Sequence, residues 1–122
     1  MAGSTNSGVT VLHHTGCSTS RHAVEAAQES ELAVHVVHYL RTPLDRDGLL
    51  ELIARLEDEP AALVRKDSFF KGLELAPADY RTPDAVADLL VEHPRLMERP
   101  VLVRGDRAII GRPKDRVAPF LS

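Results

Sequence analysis

The chain has 122 residues, 43% hydrophobic and 27% charged, which is room and composition for one globular domain. A formal net charge of -3 argues against a nucleic-acid partner held by bulk electrostatics, and the single cysteine, Cys17, excludes a disulfide framework. No apolar run approaches the roughly 20 residues that cross a bilayer, and no secretory signal precedes the first apolar segment, so a cytoplasmic protein with no membrane partner is expected.

Residues 1–8 are small and polar and are expected to form a flexible tail, leaving residues 9–122 as a single domain. The apolar run at 9–13 reads as a short buried strand. Ser18 or Ser20 is placed to cap a helix over 19–29, with Ala23, Val24 and Ala27 facing inward. Residues 32–40 are rich in β-branched side chains and apolar on both faces, the pattern of a central strand. Strand, helix and strand within this span predict a right-handed βαβ unit with parallel strands.

Thr42-Pro43 breaks the pattern, and the stripe Leu49, Leu50, Ile53 and Leu56 predicts a helix over 45–57. Residues 60–81 are irregular, with room for a short helix at 61–64. Thr82-Pro83-Asp84 is a helix start with a threonine cap and proline in the first turn, and His93-Pro94 ends that helix. Residues 101–104 and 108–111 flank Gly105-Asp106, a hairpin turn, and a last short helix is expected from Pro113. The order predicts an α/β fold: a thioredoxin-like sandwich with a mixed four-stranded sheet and a helical insertion between strands 2 and 3.

Cys17 lies where the first strand gives way to the first helix. Backbone N–H groups and the positive end of the helix dipole both favour thiolate there, and thiolate is the reactive form. Gly16 before it is expected to admit backbone angles that other residues resist. A lone cysteine must borrow a second sulfur for any redox cycle, so the pattern points to an enzyme acting on an oxidised or anionic substrate. The C-x-x-C motif is broken by Ser20, and a C-x5-R phosphate loop fails because Ala23 stands where the arginine would be. His35 and His38 are three apart on a strand and face opposite ways, and no H-x-x-x-H pair exists, so no metal site is expected.

Five motifs occur in order: H-x-x-x-C-x-T-S-R from His13, H-Y-L-x-T-P from His38, L-x-R-K from Leu63, H-P-x-L-x-x-R-P from His93, and G-R-P from Gly111. Together they resemble the glutaredoxin-coupled arsenate reductase family over about residues 9–117. The resemblance implies that Cys17 is the catalytic cysteine and that Arg65, Arg99 and Arg112 bind the substrate oxyanion. It implies that His13 helps hold the cysteine ionised, that Pro100 occupies a cis-proline position beside the site, and that Ser20 and Arg21 close the cysteine loop. It also implies arsenate as substrate, no bound cofactor, an external thiol reductant such as glutathione, and a glutaredoxin-like protein partner.

The chemistry agrees with these assignments, since arsenate near neutral pH is an anion, and planar guanidinium groups suit bidentate oxyanion binding. Arginines gathered near Cys17 should lower its pKa, with the loop amides adding to the effect. The sequence departs from the family pattern at His14-Thr15, where Asn-Pro is usual. Two other readings remain: a reductase-like thiol protein of unknown substrate, and a transcriptional regulator of the Spx type from the same superfamily.

Overall fold

The computed structural model describes residues 8–122. The tail expected at 1–8 lies outside these residues except for Gly8, which opens the first strand. β1 (Gly8–His13) pairs in parallel with β2 (Ala33–His38), with Val11 opposite Val36 and His13 opposite His38. Helix α1 (Ser18–Glu29) makes the crossover. β3 (Val101–Arg104) runs antiparallel to β1, and β4 (Arg107–Ile110) antiparallel to β3, giving the order β2-β1-β3-β4. The β3–β4 turn is Gly105-Asp106, and Gly105 has a φ of 62°, a conformation that suits glycine at the first central position of a hairpin turn. This is the expected thioredoxin-like sandwich with a mixed sheet.

Period-two alternation along the strands builds a layer on each face of the sheet. Val9, Val11, Leu102 and Ile109 pack with Ala23 and Ala27 of α1 and with Val117 and Phe120 of α5 (Val117–Leu121). Leu12, Val101, Ala108 and Ile110 face the other way, onto α2 (Arg46–Arg55) and α4 (Pro83–Glu92). Side chains such as Leu102 and Leu90 are essentially inaccessible, and each of that size stabilises the fold by roughly 1.5–3 kcal/mol.

One expectation is corrected. β2 is an edge strand and β1 and β3 are central. The β2 sequence carries apolar residues on both faces because each face feeds a core layer, Val34 joining one and Val37 the other. Apolarity above and below reports those layers and says nothing about a neighbour at the side. The strand also ends earlier than expected, at His38. Arg41 and Thr42 both donate their N–H to the His38 carbonyl, and Tyr39 turns into the core.

The insertion is built from capped pieces. Asp45 accepts from Gly48 N–H at 2.8 Å to start α2, and Thr82 accepts from Ala85 N–H at 3.2 Å with Pro83 opening α4. Between them lie a 3₁₀ turn at Pro60–Leu63 and an unexpected α3 (Ser68–Gly72), capped by Asp67 on Phe70 N–H at 3.1 Å. After α4, a 3₁₀ turn at Pro94–Leu96 leads back to the sheet. Val64 and Met97 form an isolated antiparallel bridge, fixed by Arg65 N–H to the Leu96 carbonyl and Glu98 N–H to the Leu63 carbonyl, each at 2.7 Å. The last helical segment begins as a 3₁₀ turn at Lys114–Arg116, with Pro113 as its cap, and runs on into α5. Among the described residues, no helix is long and apolar enough to cross a membrane.

Candidate active site

Cys17 is itself the N-cap residue of α1, with an extended backbone (φ -108°, ψ 120°). The cap expected from Ser18 or Ser20 is therefore moved to the sulfur-bearing residue, and the helix starts at Ser18. The preceding loop is drawn tight by its own backbone. Cys17 N–H donates to the His14 carbonyl at 3.1 Å, and Gly16 N–H donates to His14 Nδ1 at 3.0 Å. Arg21 clamps the loop from outside by donating to the Thr15 carbonyl at 2.7 Å.

Gly16 does not carry the unusual backbone angle expected of it, because Gly105 is the positive-φ glycine among the described residues. A Cβ at Gly16 would instead lie 3.1 Å from His14 Cε1, so the small residue lets the imidazole fold back over the loop.

Ser20 is fully buried under this loop. Its Oγ accepts from His14 N–H at 3.0 Å and lies 2.7 Å from His13 Nδ1. The His13 ring also meets His38 edge-on at 5.6 Å between centroids, as their register across β1 and β2 dictates. Burial, with the neighbouring His38, His14 and Arg21, holds the His13 pKa below the ordinary imidazole value. His13 thus meets Ser20 rather than the sulfur, and its influence on Cys17 passes through the first turn of α1.

The thiol has a lowered pKa even though partial burial pushes it upward. The Ser20 N–H leads the opposing effects, followed by the Arg99 guanidinium, the Arg112 charge and the Thr19 N–H. These amides act as donors aimed at the sulfur from the first turn without closing a capping hydrogen bond of normal geometry. Arginines and loop amides thus act together on the sulfur, as expected.

The three arginines come from three separate segments and meet. Arg112 donates through Nη2 to Cys17 Sγ at 3.1 Å and through Nε to the Arg99 carbonyl at 2.7 Å. The Arg99 guanidinium lowers the pKa of both Cys17 and Tyr39. Arg65 does not contact the sulfur. It donates through Nη1 to Glu98 Oε1 at 2.9 Å and through Nε to Asp67 at 3.4 Å, and the same Glu98 oxygen lies 3.5 Å from Arg112 Nε. Burial disfavours the Arg65 charge, but Glu98 and Asp67 more than offset it and raise its pKa.

Packing explains how these segments reach one place. The Val64–Met97 bridge holds Arg65 and Glu98 on neighbouring chain segments. The Arg99–Pro100 peptide is cis, as the resemblance implies, and so is Arg112–Pro113. The two turns touch at Gly111, whose N–H donates to the Pro100 carbonyl at 2.8 Å. A Cβ on Gly111 would fall 2.8 Å from Pro100 Cγ and 3.0 Å from Leu102 Cδ1, closer than packed atoms allow. Arg116 braces the Arg112 turn from below, donating to Asp58 at 2.8 Å and to the Ile110 carbonyl at 2.9 Å.

Three neighbours of the cluster were not among the expected site residues. Glu98 bridges two of the arginines. His14 carries a pKa lowered by burial and by the charges of Arg99 and Arg65. Tyr39 is 1% exposed, and its hydroxyl, like Arg99 Nε, is buried without a protein hydrogen-bond partner. Burial raises the Tyr39 pKa and the Cys17 charge adds to it, while Arg99 and Arg65 pull the other way. The tyrosine was visible within H-Y-L-x-T-P as a motif letter, but nothing in a strand pattern says that its side chain turns into the core.

Comparison with known proteins places nearly the whole chain in a family and a fold. The family described as "ArsC family" matches residues 12–120. An arsenate reductase of Escherichia coli is 35% identical over 116 residues, covering 94% of this chain and 82% of the relative. A second protein of that species, described as "Uncharacterized protein YfgD", is 34% identical over 111 residues, covering 89% and 92%. Among solved structures, an arsenate reductase from Vibrio cholerae superposes with a TM-score of 0.81 at 32% identity, covering 93% of this chain and 98% of that one.

Proposed function

The chain belongs to the ArsC family, and we infer on that premise that it is an arsenate reductase. The observation that carries the reading is the Arg112 guanidinium 3.1 Å from the Cys17 sulfur, in a cluster that also holds Arg99. A soft anionic nucleophile and cationic donors for an oxyanion are what the first chemical step requires.

In that step the Cys17 thiolate attacks arsenic(V) in arsenate. A sulfur–arsenic bond forms, and one arsenate oxygen leaves, protonated, as water. Arg112 and Arg99 stabilise the oxygens as charge builds on them, and Arg65 completes the cationic wall. An external thiol, glutathione or an equivalent, then attacks the Cys17 sulfur. The sulfur–arsenic electron pair stays with arsenic, which departs as arsenite in the +3 state, and Cys17 is left in a mixed disulfide. Two thiol sulfurs have supplied the two electrons.

A glutaredoxin-like dithiol protein returns Cys17 to the free thiol, since the chain has no second cysteine of its own. The need for an external sulfur supports this last step. His13 and Ser20 act as positioning residues that keep the first turn of α1 directed at the sulfur, and Arg21 fixes the outer side of the loop.

The test is arsenate-dependent NADPH consumption in a coupled assay with glutathione, glutaredoxin and glutathione reductase. The wild-type chain should turn over, and Cys17→Ser should fall to background. Equal turnover by Cys17→Ser would overturn the assignment.

A further inference from the structure

Three guanidinium groups suggest a strongly positive pocket, but the cluster is already balanced. Glu98 and Asp67 pair with the arginines, and the thiolate supplies a third negative charge. Glu98 occupies the pivotal place, because its single oxygen Oε1 lies 2.9 Å from Arg65 Nη1 and 3.5 Å from Arg112 Nε. Its backbone is pinned across the Val64–Met97 bridge, and its side chain is only 23% exposed, so it cannot swing freely into solvent. Asp58 and Arg116 line the same surface depression as Glu98 and Arg112, but they are paired with each other at 2.8 Å.

Any oxyanion that bridges Arg65 and Arg112 beside the sulfur must therefore come within reach of a carboxylate. An oxyanion without a proton meets like-charge repulsion there and has no O–H to offer the carboxylate. An oxyanion that keeps an O–H can donate it to Glu98 and form a charge-assisted bond. Near neutral pH, arsenate and phosphate retain such a proton and sulfate does not.

We propose that Glu98 is a specificity-determining residue of the oxyanion site, accepting the O–H of a protonated tetrahedral oxyanion and excluding the fully deprotonated ones. The proposal rests on the arsenate reductase reading and adds to it the basis on which the site rejects sulfate. In the absence of ligand, the same carboxylate holds Arg65 and Arg112 in register, so the acceptor is preorganised.

The test is calorimetric binding of arsenate, phosphate and sulfate to the full chain at neutral pH, without thiol reductant. The wild-type chain should bind phosphate about tenfold or more tighter than sulfate, because a site built around a substrate O–H strongly penalises an analogue that lacks it. Glu98→Gln supplies an amide donor in place of the carboxylate and should bring the two affinities within about a factor of two, chiefly by tightening sulfate. Glu98→Asp keeps the charge and should keep the phosphate preference.

If Glu98 only props up the arginines, Glu98→Gln weakens both anions together with their ratio unchanged, and that result overturns the proposal while leaving the reductase reading intact. Equal wild-type affinity for sulfate and phosphate overturns it as well. Failure of the wild-type chain to bind arsenate or phosphate at all contradicts both the proposal and the reductase reading.

Discussion

The two walls that face Cys17 are built on opposite plans. The wall formed by the cysteine loop and α1 is local and carries little formal charge. Residues 13–21 hold one another through short bonds among His13, His14, Gly16, Ser20 and Arg21, and they offer the sulfur backbone N–H groups. The opposite wall is ionic and assembled from afar. Arg65, Glu98, Arg99 and Arg112 reach it through a β-bridge and two touching turns, and they exchange charge-assisted bonds. The comparison teaches that the walls divide the work unequally: the local wall offers the sulfur first-turn amides, whereas the ionic wall lowers the Cys17 pKa through Arg99 and Arg112 and also supplies the guanidinium groups suited to an anion.

The largest expected effect comes from breaking the ionic wall. Arg112→Ala removes the direct guanidinium contact with the sulfur and should cut kcat/KM for arsenate by about 10²–10³-fold, the usual loss for one transition-state donor. Steady-state kinetics in the coupled assay read this. If the local wall carried the chemistry alone, the loss would be only a few-fold.

The packing beneath the ionic wall is tested next. Gly111→Ala puts a methyl group into Pro100 and Leu102 and should destabilise the fold by about 1–3 kcal/mol, visible as a lower denaturation midpoint. An unchanged midpoint would mean that the two proline turns are not held as closely as described. The local wall is tested by Ser20→Ala, which strands His13 Nδ1 and the His14 N–H. A cost of about 1–2 kcal/mol is expected for the lost buried bonds, together with a rise in the Cys17 pKa as the first turn loosens. A neutral effect on both would detach Ser20 from the sulfur.

The smallest effect is expected far from both walls. Arg46 pairs with Asp84 and Asp88 across α2 and α4, on the protein surface, where ion pairs contribute little. Arg46→Ala should leave arsenate turnover unchanged. A large loss would show that the helical insertion couples to the site through that pair.

The same division explains what could be read from the residues alone. The local wall was legible because its parts are neighbours in sequence: an apolar strand, a turn, a cysteine and a helix start. Even there the detail escaped, since a cysteine in the N-cap position and a serine turned inward to two histidines depend on how the loop closes over α1. On the ionic wall the arginines were legible through their motifs. Glu98 was not, because it sits at an unspecified position of H-P-x-L-x-x-R-P, and its role exists only once Leu63–Arg65 and Leu96–Glu98 pair. The place of β2 was misjudged for a related reason, since strand composition reflects the core layers above and below it rather than the sheet edge. The short helix α3 went unseen because five residues are too few to show a period, although Asp67 ahead of Ser68-Phe69-Phe70 is a capping signal.

The central claim is that first-turn amides and guanidinium groups together hold Cys17 as thiolate, and the pH dependence of its alkylation by iodoacetamide tests this most directly. Because the folded-state pKa is lowered, thiolate persists in the folded chain below the pH at which an ordinary thiol protonates, and reactivity should fade only as pH drops through that lowered value. The expected midpoint therefore lies below that of free cysteine, shifts upward in Arg112→Ala, and in that variant still stays below free cysteine because the Ser20 and Thr19 amides remain. A wild-type midpoint at or above that of free cysteine would contradict the account.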